Sequence, residues 1–310
     1  MIAEEIYLQP STVEEALEMA MLQKGDFTFI AGGTDVMANR YQGNENAPCL
    51  IDLTGISVLK GVSISNDYLH IGALEKLDDL QHFHDILDEF PALIEAAQSV
   101  GSPLIRNAAT LGGNILCENR CLFYNQSEWW RESIGYCLKC DGDICIATQG
   151  KKACFSELVS DTAPALISMD AELELAETTG HRRVILEDIY TGDGVYPRNL
   201  DKLTIVKAIL LPLNREFKTV FKKLRQRKSL EFTSLTSAVT VDNTGKLKIA
   251  LSGVDPKAVV VAGTVDDDKE ALIKKAIKGA RAIDNDMYSR KYRRDMIKVF
   301  LHQSFEELSI

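Results

Sequence analysis

No apolar run in this 310-residue sequence approaches the roughly 20 residues that a membrane-spanning helix requires. The first residues, Met1-Ile2-Ala3-Glu4-Glu5-Ile6, carry acidic side chains and no apolar core segment, so no secretory signal is expected. The expected location is the cytoplasm, where thiols stay reduced and clustered cysteines favour metal binding over disulfides. The odd cysteine count, seven, points the same way. Basic charge is also scarce: 35 Lys and Arg stand against 45 Asp and Glu, a net charge of -10. That argues against a nucleic-acid partner, which normally demands a basic face. Two local basic runs, Lys222 to Lys228 and Arg290 to Arg294, are read as solvated faces, with a phosphate or acidic-partner contact as the sharper alternative. Internal repeats and low-complexity tracts are missing. So are the Rossmann glycine spacing and the Gly-Lys-Ser/Thr of a P-loop.

What is present reads as α+β. Ser11 is a helix cap with Glu14 three residues on, followed by Ala16, Leu17, Ala20 and Met21 at helical spacing. Phe27 to Ala31 reads as a strand, Gly32-Gly33-Thr34-Asp35 as a turn, and Val36 opens the next helix. Further strands are expected at Leu50–Leu53 and Leu69–Ala73, and helices at Leu77–Leu87, Pro91–Val100 and Ala163–Ile167. Ala171 to Leu175 alternates as a strand should. A last unit begins near Asn214, with strands at Phe217–Leu224, Ser237–Val241 and Leu247–Val254. The second and third of these are joined by an Asp242-Asn243-Thr244-Gly245 turn. Helices at Lys269–Ala282 and Ser289–Phe305 close the chain.

The glycine turn after Ile30-Ala31 sits between strand and helix, where backbone N–H groups can approach an anion such as a phosphate. Alone this is a weak signal. A second turn, Thr110-Leu111-Gly112-Gly113-Asn114, strengthens it, because two such turns could grip one dinucleotide from opposite sides. Asp161 follows the second turn and could accept hydrogen bonds from a ribose. Lys223, on a strand, could contact a pyrophosphate or a flavin carbonyl.

Six of the seven cysteines lie between Cys117 and Cys154. The segment also holds Asn119, Arg120, Lys139, Asp141 and Asp143, too polar a set for buried thiols in an ordinary core. Two chemistries remain open. The close pairs Cys117/Cys121 and Cys137/Cys140 suit a tetrahedral zinc site. Cys121, Cys137, Cys145 and Cys154 are spread evenly enough to wrap a larger iron–sulfur body. Trp129, Trp130, Phe123, Tyr124 and Tyr136 could shield such a cluster or simply form the small core that the segment needs.

Phe29-Ile30-Ala31-Gly32-Gly33-Thr34-Asp35, Ala109-Thr110-Leu111-Gly112-Gly113-Asn114-Ile115 and Ser160-Asp161-Thr162-Ala163-Pro164-Ala165-Leu166 resemble the FAD-binding medium subunits of the xanthine dehydrogenase family of molybdenum hydroxylases. The resemblance covers nearly the whole chain. It implies a two-part PCMH-type FAD-binding domain over 1–213, with subdomains of about 1–55 and 56–213. A C-terminal domain like that of the carbon monoxide dehydrogenase flavoprotein would span 214–310. Most members pass directly from the Gly-Gly-Asn turn to the Ser-Asp element. The extra segment, about 116–156, is similar to one that holds a [4Fe–4S] cluster in the β subunit of 4-hydroxybenzoyl-CoA reductases.

By that resemblance, Ile30 to Val36 and Thr110 to Asn114 would hold the FAD pyrophosphate, Asp161 would meet the ribose region, and Lys223 or its neighbour Lys222 would lie near the flavin ring or phosphates. No His stands in either glycine loop, so the FAD is expected to be noncovalent. Cys121, Cys137, Cys145 and Cys154 would hold the cluster, leaving Cys117 and Cys140 as free thiols. No catalytic residue is implied. The implied partners are a large molybdenum-cofactor subunit, a small [2Fe–2S] subunit and a ferredoxin-like donor, assembled as a dimer of heterotrimers. The implied role is electron transfer from cluster to FAD to the partner subunits, in the reductive dehydroxylation of 4-hydroxybenzoyl-CoA during anaerobic aromatic degradation. The alternatives are the FAD subunit of another molybdenum hydroxylase, or a zinc-stabilised binding protein without redox activity.

Overall fold

The computed structural model describes residues 5–83 and 88–310. The expected helix over Leu77–Leu87 begins as a 3-10 turn at Asp79–His82, and residues 84–87 lie outside the described part, as do 1–4.

Three sheets organise the chain. The first is parallel, with β1 (Ile6–Leu8), β3 (Cys49–Asp52) and β2 (Phe27–Ile30) side by side in that order. Helix α1 (Val13–Leu22) buries Val13, Ala16, Leu17 and Ala20 against Phe27, Cys49 and Ile51. Its cap is Thr12, one residue later than expected. Thr12 is extended and its hydroxyl accepts from the Glu15 N–H at 3.1 Å, while Ser11 donates its own N–H and hydroxyl to the Glu15 carboxylate. The helix starts where the apolar stripe starts, at Val13, and the cap follows that choice.

The second sheet is antiparallel throughout. Its order is β4 (Val62–Ser65), β5 (Tyr68–Gly72), β8 (Thr204–Pro212), β6 (Glu172–Glu177) and β7 (Gly180–Ile185). Central β8 is a nearly continuous apolar run, which period-two alternation does not reveal. The third sheet, also antiparallel, orders β12 (Val259–Thr264), β11 (Lys246–Ser252), β10 (Leu235–Asp242) and β9 (Phe217–Leu224). Two helices cover it, Lys269–Gly279 and Arg290–Glu307, through Leu272, Ile273, Ile297 and Leu301. The β10–β11 turn forms as the sequence predicts: Asp242 Oδ1 accepts from the N–H groups of Thr244 and Lys246, and Gly245 takes φ +82°.

Helix Thr162–Ser168 is buried at every residue because β10 and β11 pack on it from one side and helix Pro91–Gln98 from another. One apolar core therefore runs through it, from Leu173 and Ile209 of the second sheet to Ala238 and Ala250 of the third.

The cysteine segment is closed at its base by a two-residue antiparallel bridge. Arg120 N–H donates to the Glu157 carbonyl at 3.0 Å, and Glu157 N–H returns to Arg120 at 2.7 Å. Inside it, Ser127 caps a helix over Glu128–Ile134. Buried Arg131 on this helix donates to the carbonyls of Gln126 at 2.6 Å and Gln42 at 2.8 Å. Gln42 ends helix α2 (Val36–Tyr41), so the segment is tied to the helix that follows the first glycine turn.

Candidate functional site

Strand β2 ends at Ile30 and α2 begins at Val36, leaving Ala31 to Asp35 as the connecting turn. The second turn, Thr110 to Asn114, folds as a short helix over Leu111–Ile115. The first packs on the segment leading into the second: a β-carbon on Gly32 would collide with the Ala108 carbonyl, two residues before Thr110. Gly112 is pressed in the same way, a β-carbon there lying 2.8 Å from Ala73. Only glycine permits either approach.

Between the turns opens a cleft of about 490 Å³. Every predicted residue from Ile30 to Val36 lines it, together with Thr110, Gly112, Gly113, Asn114 and Asp161. Leu111 does not; it is fully buried in the core. The turns differ in what they can offer. Leu111 and Gly112 donate their N–H groups to Glu75 and Ala73, and Gly113 and Asn114 donate theirs to Thr110. Among the described residues, the N–H groups of Gly32, Gly33, Thr34 and Asp35 have no protein acceptor. Free donors for an anion are thus on the first turn, and the second is the wall against it. Asn114 fixes that wall, its Oδ1 accepting from the hydroxyls of Ser160 at 2.8 Å and Thr162 at 2.6 Å.

Asp161 and Lys223 form a buried ion pair at 2.5 Å, with side chains 5% and 4% exposed. Burial raises the Asp161 carboxyl above its ordinary range and lowers the Lys223 ammonium, each opposed by its partner. Lys223 also donates to the Ser99 carbonyl at 3.0 Å and, without lining the cleft itself, reaches it through Asp161 and the Glu231 carbonyl at 3.3 Å. Strand alternation turns Lys222 to the opposite face, where it pairs with Glu307 at 2.6 Å.

Arg120 is a cleft residue that lies outside both glycine turns and the Ser160-Asp161 element. Its guanidinium lines the cleft, pairs with Asp35, lies 4.5 Å from the Phe232 ring centre, and leaves a buried Nε without a partner. Its position beside Cys121 is the one sequence signal that could have pointed to it. Phe232, with Leu230, closes the cleft from the β9–β10 connection, and nothing local in the sequence marks either. The basic run Arg290 to Arg294 is not simply a solvated face. Arg293 is fully buried, paired with Glu157, and donates to the Gly253 carbonyl at 2.7 Å.

Cys121, Cys137, Cys145 and Cys154 all line one small cavity, with Phe123, Tyr124 and Phe155. Cys117 and Cys140 do not line it. Cys117 is buried at the cleft instead, where burial pushes its thiol up to about 12. Cys140 shares a hydrogen bond with Cys137, which lowers Cys137 to about 6 and raises Cys140. Burial pushes Cys121 up to about 12. Among the described residues, no group of three or more His, Cys, Asp and Glu is packed closely enough to hold a metal ion. The aromatics divide: Phe123 and Tyr124 face the cavity, whereas Trp129 is 74% exposed.

A cleft between two glycine turns, one offering free N–H groups, with a parallel three-stranded and an antiparallel five-stranded sheet around it, has the form of a dinucleotide-binding unit. Residues 2–214 match the family described as the FAD binding domain in molybdopterin dehydrogenase, and the chain belongs to that family. It is an oxidoreductase flavoprotein subunit with a mixed α and β, PCMH-type fold. Over 244 residues it is 29% identical to the FAD-binding subunit of an Escherichia coli aldehyde oxidoreductase, a match covering 74% of this chain and 75% of that one. The FAD subunit of nicotinate dehydrogenase from Eubacterium barkeri is 27% identical over 244 residues, covering 77% and 70%. Among solved structures, a carbon monoxide dehydrogenase chain from Hydrogenophaga pseudoflava superposes with TM-score 0.76 at 20% identity, over 99% of this chain and 98% of that one. At that identity the likeness is one of fold. No described helix is long and apolar enough to cross a membrane.

Proposed function

We propose that this chain is the FAD- and [4Fe–4S]-bearing subunit of a molybdenum-containing reductase acting on 4-hydroxybenzoyl-CoA. The observation that carries the reading is that the four evenly spaced cysteines, and not Cys117 or Cys140, line one cavity beside the flavin cleft. A four-iron cube takes four thiolates around a larger body than a single zinc ion does, and four cysteines lining one cavity are the number it needs. The flavin would be held noncovalently, its diphosphate on the free N–H groups of Gly32 to Asp35 and its ribose region toward Asp161. Bound FAD exchanges electrons singly or in pairs, and a [4Fe–4S] cluster exchanges one at a time.

This chain's own residues do the holding. Gly32 holds the first turn against Ala108, Gly112 seats the second on Ala73, Asn114 braces the second, and Asp161–Lys223 fixes the floor of the cleft. We propose a division at 213/214, with the cysteine insertion at about 116–156. Substrate would bind a large molybdenum-cofactor subunit, with a small [2Fe–2S] subunit between, in a cytoplasmic dimer of heterotrimers served by a ferredoxin-like donor. The flavoprotein relatives, one from an aldehyde oxidoreductase and one from a nicotinate dehydrogenase, favour a second reading. In it the chain serves another molybdenum hydroxylase, and electrons leave through the cluster.

Anaerobic purification of the complex decides between these. The first reading requires a copurifying large subunit that forms benzoyl-CoA from 4-hydroxybenzoyl-CoA when a low-potential donor is supplied. A complex that only oxidises aldehydes or N-heterocycles would establish the second.

A further inference from the structure

The four-thiol cavity has a cation built into its wall. Lys139 lines it, with a side chain only 4% exposed. Its ammonium donates to Glu118 Oε1 at 2.6 Å and to the Gly194 carbonyl at 2.6 Å, and lies 5.1 Å from the Tyr124 ring centre. Gly194 is itself pressed on a thiol: a β-carbon there would be 2.8 Å from Cys154 Sγ. Two of the three ammonium donors are thus spent on anchors that fix it beside Cys154.

Its counter-charge is equally fixed. Glu118 is shared between Lys139 and Arg198, the latter at 4.0 Å. Burial works against ionisation of Glu118, yet Lys139 and Arg198 together hold its carboxyl below the ordinary range. Two cations therefore share one carboxylate, so Glu118 offsets the charge of cavity-lining Lys139 only in part. The backbone N–H of Glu118 donates to Asp35 Oδ2 at 2.8 Å, so the same residue touches the flavin cleft.

We propose that Lys139 is the charge that sets the reduction potential at the four-cysteine site, and that Glu118 sets how much of that charge the site feels. The proposal rests on the iron–sulfur reading of that site. Reduction adds one negative charge to a body already ringed by four thiolates. A buried ammonium favours the reduced form, because the low-dielectric surroundings screen it poorly. Lys139 then acts as a tuning residue, and it needs no proton transfer to do so.

The test is a dithionite titration, followed by electron paramagnetic resonance, of wild type, Lys139→Met, Lys139→Arg and Glu118→Gln, with iron and FAD measured on each. Lys139→Met should disfavour reduction at least tenfold, a shift of 59 mV to more negative potential for one electron. Lys139→Arg should stay near wild type, and Glu118→Gln should move to more positive potential. A merely structural role would lower iron content or move both variants the same way. The proposal is overturned if Lys139→Met keeps its iron and its potential is unchanged. It is equally overturned if Glu118→Gln moves negative. Should Lys139→Met lose its iron, the positive shift in Glu118→Gln is the deciding result. Wild type without iron would remove the iron–sulfur reading itself, and the proposal with it, an outcome distinct from an unmoved potential on an intact cluster.

Discussion

Gly32 sits against the carbonyl oxygen of Ala108 so tightly that no side chain fits between them. That single contact joins the turn carrying the free N–H groups to the segment that leads into the second turn. Gly32→Ala should therefore push the two apart and strain the fold by roughly 1–3 kcal/mol, the usual cost of overpacking. The expected result is loss of most FAD with iron retained, read by flavin absorbance and iron analysis on one sample. Gly33 differs, because it is required for φ +70° while a β-carbon would meet only side chains, Ile30 at 3.3 Å and Met37 at 3.5 Å. A bulky residue at Gly33 should also reduce FAD, through backbone strain and blocked approach.

The cysteines should separate by function. Cys137→Ser is expected to lose iron while keeping FAD, because the cleft and the thiol cavity are lined by different residues. Cys117→Ser should keep its iron, since that thiol faces the cleft. Cys140→Ser should keep it too, although it removes a hydrogen bond from Cys137. Iron loss in Cys140→Ser with retention in Cys145→Ser would reassign the fourth ligand.

Breaking the buried Asp161–Lys223 pair leaves one charge without its partner. Lys223→Met alone should cost about 3–5 kcal/mol in denaturant unfolding. Asp161→Asn combined with Lys223→Met should recover much of that loss, because no charge is then stranded. Lys222→Met, which removes a partly exposed pair with Glu307, should cost less than about 1 kcal/mol. Equal costs for the two lysines would contradict the arrangement.

Asp170 ties the turn before β6 to the third sheet, pairing with Arg215 at 2.7 Å and with Lys248 on β11. Burial would raise its carboxyl, but Lys248 and Arg215 outweigh burial and hold it below the ordinary range. A carboxyl lowered by folding stabilises fully above its unfolded value, and that contribution is lost as pH falls through the folded value. Wild type should therefore lose stability across roughly pH 4 and below. Asp170→Asn should start less stable at neutral pH and lose less on acidification. Parallel pH profiles would show that the pair contributes nothing.

Much of this was legible in the residues. Both glycine turns, the Ser160-Asp161 element and the strand–helix order around them were readable because local patterns encode them. The strand over Phe27–Ile30, the turn and the helix from Val36 stand where periodicity puts them. Strand β8 was not, since a strand buried on both faces carries no alternation to detect. The cap moved from Ser11 to Thr12 because burial of Val13, rather than the first available hydroxyl, decides where the helix begins. That Lys223 meets Asp161 while Lys222 meets Glu307 depends on the register of β9 against β10, which no single strand contains. Arg120, Phe232 and Lys139 act through contacts made across long sequence separations, and only folding brings them to the cleft and the cavity.

Whether Cys121, Cys137, Cys145 and Cys154 hold iron and sulfide is the central question. Metal, acid-labile sulfide and flavin should be measured per chain on protein purified without oxygen. The account predicts four iron, four sulfide and one dissociable FAD, the stoichiometry that a single [4Fe–4S] cluster and one noncovalent flavin require. One zinc per chain, with no iron or sulfide, would contradict it.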